Sequence, residues 1–222
     1  MPEPKELLES SRVIASELVE LRRQLHQIPE FALDLPRTQA LLLEKLAGLG
    51  EITLGKSLTS IALLIRGGNP GPTVLLRADM DALHVTEETD LDFASTNGYM
   101  HACGHDTHIA ILMGVAEVLS KHKNLIQGTI KFIFQPAEEM LPGGAQQMIK
   151  EGVLENPKVE KMIGQHVFPD LEVGKVGFCS GKYMASTDEL HITINGKGGH
   201  AALTEKYNNP LLAAAKLILD LE

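Results

Sequence analysis

The sequence predicts an α/β protein in which helices flank a mostly parallel sheet. Short apolar runs bounded by turn residues, typical of strands, alternate with longer segments whose apolar residues recur at helical spacing. This alternation continues to about residue 185, which favours repeated strand–helix units over separate helical and strand regions. The chain has 222 residues, 44 % of them apolar, which is enough for one large core or for one domain and part of another.

The first part of the chain is predicted to contain two helices and then two strands. Apolar residues recur at helical spacing from Leu7 to Leu25, and Pro29 ends the pattern. Pro36 suits the first turn of a second helix, which ends at the glycines near residue 50. The runs SIALLIRG and TVLLRADMD lie on either side of a Gly-Asn-Pro-Gly-Pro turn and predict two strands.

The next part continues the alternation, and the pattern then changes near Ser186. We predict, in order, the helix THIAILMGVAEVLSKH, the strand GTIKFIFQ, the short helix GGAQQMIKEGVL and the strand VEKMIGQHV. Residues 189–194 alternate strictly between apolar and polar, which predicts a half-exposed strand, and the helical segment NPLLAAAKLILDLE follows. One strand and one helix cannot bury their own apolar faces. We therefore expect one domain over residues 1–185 and the beginning of a smaller one over 186–222.

Composition excludes several classes of partner. The formal net charge of −9 argues against a nucleic-acid surface and against binding to anionic membranes, both of which need clustered Lys and Arg. No apolar run has the length that spans a bilayer, and the polar N-terminus lacks the apolar core of a signal peptide. Cys103 and Cys179 do not form a disulfide framework. We expect a cytoplasmic enzyme.

The stretch HACGHDTH, residues 101–108, concentrates side chains that can bind a metal. An isolated Cys or His usually has a packing or hydrogen-bonding role, and we interpret Cys179 in that way. A Cys and a His two residues apart, with further His and Asp beside them, are hard to explain by packing. Other ligand-type side chains follow the predicted strands: Asp79 and Asp81, Glu138 and Glu139, and His166. Because the carboxyl ends of parallel strands share one edge, these segments are expected to converge there.

The residue types also indicate the kind of site. A closed structural zinc site would need paired Cys or His motifs that this sequence lacks. Thiolate, imidazole and carboxylate ligands together suit Zn²⁺ first, with Mn²⁺, Co²⁺ or Ni²⁺ as alternatives. Five or six such ligands suit two ions roughly 3.5–4 Å apart. Of two adjacent glutamates, one can bind an ion and the other can act as general base.

Several stretches together resemble a known family: LLRADMDAL, FASTNGYMHACGHDTHIA, FIFQPAEE, GQHVFP and NGKGGHAA. They are similar to the amidohydrolase branch of the aminoacylase-type dinuclear metallopeptidases, which includes hippurate hydrolases, N-acetyl-amino-acid and N-acetyldiaminopimelate deacetylases and auxin-conjugate hydrolases. The resemblance extends from about Leu21 to Glu222. It implies a zinc-peptidase-like catalytic domain over 1–185 and the incomplete beginning of an α+β lid or dimerisation domain over 186–222.

The resemblance also implies roles for individual residues. The expected metal ligands are Cys103, His105, Glu139 and His166. Glu138 is expected to act as general base and acid, with Asp79 and Asp81 at the edge of the site. His200, in the lid, is expected to reach the active site of a partner subunit and help to polarise the scissile carbonyl.

The resemblance implies a homodimeric metal-dependent hydrolase that cleaves the amide bond of N-acyl amino acids or related small conjugates. The family continues for roughly another domain, which carries a further metal-binding histidine, whereas this sequence ends at Glu222. We therefore expect a fragment or a truncated protein with weak activity. Two alternatives stay open: a thiol hydrolase with Cys103 as nucleophile, and a non-catalytic relative that binds metal or dimerises.

Overall fold

The computed structural model describes residues 3–186 and 188–222. The chain divides into two compact units, Met1–Asp170 and Leu171–Glu222. The change of sequence pattern lies somewhat later, near Ser186, and the domain assignment of 1–185 and 186–222 stays a prediction.

The first unit contains five helices and five strands in its described residues. The helices are α1 (Pro4–Val13), α2 (Ala15–His26), α3 (Pro36–Leu46), α4 (His105–Lys121) and α5 (Gly144–Lys150). The strands are β1 (Glu51–Leu54), β2 (Ile61–Arg66), β3 (Asn69–Asp79), β4 (Gln127–Gln135) and β5 (Lys161–Gly164). A short 3-10 helix, Lys123–Leu125, joins α4 to β4.

These strands form one sheet, in the order β1-β2-β4-β3-β5. β3 pairs in parallel with β4 and with β5, whereas β2 pairs antiparallel with β4 and β1. Four of the five strands in the described sheet therefore run in one direction, and only β2 runs against them. The prediction of an α/β fold with a mostly parallel sheet is confirmed.

The register of the parallel strands places their carboxyl ends, where the predicted site residues lie, next to one another. Asp79, the last residue of β3, pairs with Gln135, the last residue of β4, and Arg77 pairs with Gly164, the last residue of β5. The three strands therefore end at the same edge of the sheet, where open α/β sheets bind ligands.

Both faces of the sheet are covered. Side chains along β4 point alternately to the two faces, and each set is buried in a different cluster. Phe132 and Phe134 are fully buried in the larger core cluster, together with side chains of α2, α3 and α4. Ile133 belongs to a smaller cluster on the other side, which also contains Leu75 and Met148 of α5. This packing supports β3 and β4 from both faces beneath the site.

Four details differ from the sequence predictions. β3 begins at Asn69, so most of the predicted Gly-Asn-Pro-Gly-Pro turn is strand, with an irregularity in its pairing between Asn69 and Thr73. The segment from Leu7 to Leu25 forms two helices, which meet at Ile14, rather than one. β1 was not predicted, because Glu51–Leu54 is short and lies at the sheet edge with mostly exposed residues. Within residues 188–222 the structure assigns no strand, so the strand predicted over 189–194 is absent. Alternation makes a segment amphipathic, but a strand also needs a neighbouring strand with which to pair.

The described part of the second unit contains one α-helix, α6 (Pro210–Leu221), which confirms the helix predicted there. Asn209 caps it, because its side-chain oxygen accepts a hydrogen bond from the backbone amide of Leu211 at 3.0 Å. An isolated antiparallel bridge joins Lys197 to Asn208, and a 3-10 helix covers Thr204–Lys206. Among the residues that the structure describes, no helix combines the length and the apolar character needed to cross a bilayer.

Candidate metal centre

Asp81 accepts hydrogen bonds from three residues of the site through its carboxylate and its backbone carbonyl. Its two buried carboxylate oxygens accept the backbone amides of Glu138 and Glu139, each at 2.9 Å. Its carbonyl oxygen accepts a hydrogen bond from Nδ1 of His105 at 2.8 Å. Asp81 therefore fixes the positions of both glutamates and of the histidine, and its oxygens are occupied by these bonds.

The hydrogen bond to Asp81 determines how His105 presents its ring. A carbonyl can only accept, so Nδ1 carries the proton, and in the neutral ring Nε2 keeps a free lone pair. Carboxylate oxygens surround Nε2: Asp79 Oδ2 and Glu139 Oε1 at 3.6 Å, and Glu138 Oε2 at 3.9 Å. His105 is the first residue of α4, and Gly104 before it adopts a left-handed conformation with φ of +80°.

Two buried atoms in this cluster lack a hydrogen-bond partner among the described residues. They are Nε2 of His105 and Oε1 of Glu139, which lie 3.6 Å apart. Both atoms offer lone pairs, and a buried polar atom without a partner is costly. A divalent cation between them would satisfy both. The residues present therefore fit a metal ion.

Cys103 and His166 place two further potential metal-ligand atoms close to His105. Cys103 Sγ lies 3.3 Å from Nε2 of His166, whose Nδ1 donates to the carbonyl of Val167 at 2.6 Å. Ligand atoms of Cys103, His105 and His166 lie within 4.8 Å of one another, and so do those of His105, Glu138 and Glu139. The four residues expected as ligands are thus brought together, with His105 common to both groups.

Electrostatics in the cluster are dominated by negative charge. Burial, followed by the hydrogen bond and charge of Glu139, raises the pKa of the Cys103 thiol to about 12. Burial also raises the pKa of Glu138, and the neighbouring charge of Glu139 adds to this effect. An excess of carboxylates around one imidazole is the arrangement that a bound cation neutralises.

Asp79 behaves differently from the other carboxylates. Burial alone would raise its pKa, but the hydrogen bond from His108 and the charges of His105 and Arg77 lower the pKa of Asp79 to about 2. Its Oδ1 accepts from His108 Nδ1 and its Oδ2 accepts from Arg77, both at 2.6 Å. Asp79 and Asp81 therefore line the base of the cluster, and both are committed to hydrogen bonds.

His200 lies in the second unit. It is exposed, and its Nδ1 accepts the backbone amide of Ala202 at 3.1 Å. Its role toward a partner subunit stays a prediction.

Sequence reasoning missed the supporting role of His108 and Arg77. The signal for His108 was present, because positions 105 and 108 lie three residues apart and share one helix face. The signal for Arg77 was its position two residues before Asp79 on one strand, which places both side chains on the same face.

Comparisons with known proteins show the family of this chain. The family model described as peptidase family M20/M25/M40 matches residues 75–220. An N-acyl-L-amino acid amidohydrolase of Geobacillus stearothermophilus is 39 % identical over 211 residues, which cover 94 % of this chain and 56 % of that protein. An N-acetyldiaminopimelate deacetylase of Limosilactobacillus reuteri is 42 % identical over 213 residues, with 93 % and 55 % covered. The chain spans just over half the length of these curated relatives.

Solved structures show the same likeness. The YXEP protein of Bacillus subtilis, described as a dinuclear metal binding peptidase from the M20 family, superposes with a TM-score of 0.69 and 39 % identity over 73 % of this chain and 45 % of that one. A structure from methicillin resistant Staphylococcus aureus reaches a TM-score of 0.80 at 34 % identity, covering 99 % of this chain and 58 % of its own. The family model and the relatives of about 40 % identity together show that the chain belongs to peptidase family M20/M25/M40.

Proposed function

We propose that the protein is a divalent-metal-dependent amidohydrolase, which cleaves the amide bond of N-acyl amino acids or related small conjugates. The observation that carries this proposal is a pair of buried atoms without a hydrogen-bond partner, His105 Nε2 and Glu139 Oε1, both of which can bind a metal ion. They lie within a cluster that also holds Cys103 and His166. The relatives named N-acyl-L-amino acid amidohydrolase, N-acetyldiaminopimelate deacetylase and N-acetylcysteine deacetylase support the substrate class.

The ligand set would be Cys103, His105, Glu139 and His166, and the cluster has donors enough for two ions. Thiolate, imidazole and carboxylate together favour Zn²⁺, with Mn²⁺, Co²⁺ or Ni²⁺ as alternatives. A bound ion of this kind lowers the pKa of water and polarises a carbonyl group.

Glu138 would act as the general base. Its side chain is 41 % exposed, against 19 % for that of Glu139, so Glu138 is the glutamate that faces the open side of the cluster. It accepts a proton from the attacking water as the water oxygen bonds to the amide carbon. The carbon–nitrogen bond then breaks, and Glu138 returns that proton to the leaving nitrogen. The products are a carboxylate and a free amino acid.

The assignment of the two glutamates is tested by comparing Glu138→Gln with Glu139→Gln. We expect Glu138→Gln to keep its metal and to lose on the order of 10²–10⁴ in kcat. Glu139→Gln should lose metal and activity together. Elemental analysis gives the metal content, and release of free amino acid from N-acetyl and N-benzoyl amino acids gives the activity. The reverse pattern would exchange the two roles.

A second candidate function rests on the 3.3 Å contact between Cys103 Sγ and His166 Nε2, which is the pairing that a thiol nucleophile requires. In the metal-dependent enzyme, Cys103→Ser lowers metal content and turnover together. In a thiol hydrolase, the same variant keeps its metal and loses only turnover. Dialysis against a chelator provides the complementary test, because it abolishes activity only in the metal-dependent enzyme.

The proposal includes self-association through residues 186–222, with His200 of one subunit acting at the site of another. The exposed apolar side chains of α6, among them Leu211, Leu212 and Leu219, support such a contact. Analytical ultracentrifugation at micromolar concentration tests it, and a monomer at that concentration would remove His200 from the proposed site. A protein that dimerises and binds metal without turning over any N-acyl amino acid would be the non-catalytic alternative.

A further inference from the structure

His108 is a buried residue of α4 to which the proposed reaction assigns no role. It is 0 % exposed and lies three residues after His105. Both of its ring nitrogens are engaged: Nδ1 lies 2.6 Å from Asp79 Oδ1, and Nε2 accepts the backbone amide of Val167 at 2.9 Å. One imidazole therefore joins the end of β3 to the segment that follows β5.

These partners determine the protonation of the ring. A backbone amide can only donate, so Nε2 carries a lone pair. The carboxylate of Asp79 is ionised and accepts, so Nδ1 carries the proton. His108 is thus a neutral imidazole with its proton on Nδ1. Although ligand atoms of Asp79, His105 and His108 lie close enough to share a cation, binding one at His108 would break one of these two bonds.

The segment held by His108 carries an expected metal ligand. Val167 directly follows His166, and β5 ends earlier, at Gly164, so no ladder of strand hydrogen bonds fixes His166. The rings of His108 and His166 pack edge to face, with centroids 4.5 Å apart. The hydrogen bond to Val167 therefore fixes this segment beside the ring of His105, whose centroid lies 6.1 Å from that of His166.

We propose that His108 is a positioning residue, which sets His166 relative to His105 by holding the Val167 amide. This inference rests on the proposed function, because it gives His166 the role of a ligand. Residues that orient ligands in this way change metal affinity by roughly 10- to 100-fold when they are substituted.

Two substitutions separate the two hydrogen bonds of the ring. In His108→Gln, the amide oxygen can take the place of Nε2 and still accept from Val167. In His108→Asn, the amide nitrogen can take the place of Nδ1 and still donate to Asp79, but nothing accepts from Val167. The two variants are matched in polarity and charge and each keeps one of the two bonds, so a comparison shows which bond positions His166.

Two measurements distinguish the variants. Hydrogen exchange of the Val167 amide in the metal-free chain reports the bond directly, and titration with Co²⁺, followed by the thiolate absorption of Cys103, reports the affinity. We expect His108→Gln to keep the slow exchange of this amide and to bind Co²⁺ within about threefold of the parent. His108→Asn should exchange faster and bind roughly 10- to 100-fold more weakly.

Equal weakening in both variants, or in neither, would overturn the proposal. A lower number of bound ions in both variants would do so too, because it would make His108 a ligand. If His108→Asn does not fold, His108→Gln decides alone, since a loss of more than about tenfold contradicts the proposal. A parent chain that binds no Co²⁺ would overturn the proposed function, whereas the Val167 exchange rates would still decide whether His108 holds this segment.

Discussion

His26, the last residue of α2, donates a hydrogen bond through Nδ1 to the carboxylate of Asp106 at 2.7 Å. Both side chains are buried, and Asp106 immediately follows His105 at the start of α4. The other ring nitrogen of His26 lies 3.1 Å from Glu87 Oε1. Because both nitrogens face carboxylates, the protonated imidazole is the form that satisfies them. Arg22 adds a second cation, 2.8 Å from Asp106.

This ion pair should make stability depend on pH. The hydrogen bond to Asp106, opposed by burial, raises the pKa of His26 above its ordinary value of 6.5. A raised pKa in the folded state means that the stabilisation is complete below about pH 6.5 and is lost as the pH rises through the folded-state pKa. We expect the free energy of unfolding of the metal-free protein to fall over that range, and His26→Gln to remove part of the fall. Urea denaturation at several pH values measures it.

The matched control for this measurement is His191→Gln, because the side chain of His191 is 91 % exposed. It should follow the parent at every pH. If His26→Gln gave the same pH slope as the parent, the pair with Asp106 would not be ionic.

Replacement of Asp81 by Asn should loosen both glutamates of the site. The asparagine side chain keeps one acceptor oxygen and turns an amino group toward the second backbone amide. We expect a loss of about 1–3 kcal/mol in stability, because a buried amide loses its partner. Metal affinity should fall roughly 10- to 100-fold. The exposed Asp92 provides the control, since Asp92→Asn should stay within about 0.5 kcal/mol of the parent. An Asp81→Asn variant with the metal affinity of the parent would contradict this.

Gly104→Ala tests the contact between the Cys103 loop and the segment after β5. A Cβ at residue 104 would lie 2.6 Å from Cγ2 of Val167, in a backbone with φ of +80°. Gly98 has φ of +84° and nothing within 4 Å, so Gly98→Ala should cost only the conformational term of about 1–2 kcal/mol. We expect Gly104→Ala to cost about 1–3 kcal/mol more. Val167→Ala in the Gly104→Ala background should recover most of that difference in thermal unfolding.

Lys131 stabilises the connection between α5 and β5. Its buried side chain extends from β4, and its ammonium donates to the carbonyls of Val153, Glu155 and Pro157 at 2.8, 2.8 and 3.0 Å. Lys131→Met would leave these three acceptors without their donor, so we expect a loss of about 2–4 kcal/mol in chemical denaturation. Lys158→Met, at an exposed position, should change stability by less than about 0.5 kcal/mol. Equal stability of the two variants would contradict the role of Lys131.

The sequence was sufficient to predict β2, β3 and β4, because apolar runs between turn residues are typical of buried strands. It was also sufficient to place the ligand cluster at one sheet edge, since strand ends share an edge when the strands run in parallel. It could not predict the break at Ile14, where neither proline nor glycine marks the boundary between α1 and α2.

The hydrogen-bond partners of the acidic side chains also could not be predicted. Asp79 and Asp81 have the same residue type and are separated by one position, yet one binds side chains and the other binds backbone amides. That difference depends on where the segment after β4 passes, which is a tertiary contact. For the same reason, the alternating pattern at 189–194 was not enough to establish a strand, because pairing depends on a neighbour.

The pairing of Val74 with Lys161 has a consequence for the order of refolding events. A long segment of chain separates these two residues, and contacts between residues far apart in sequence form after local ones. The helical turns of α2 and α4 can form early, but His166 reaches the cluster only after β5 has docked on β3. Capture of a cation by the complete donor set is therefore a late step, and a chain arrested before that docking would have helical content without a working site.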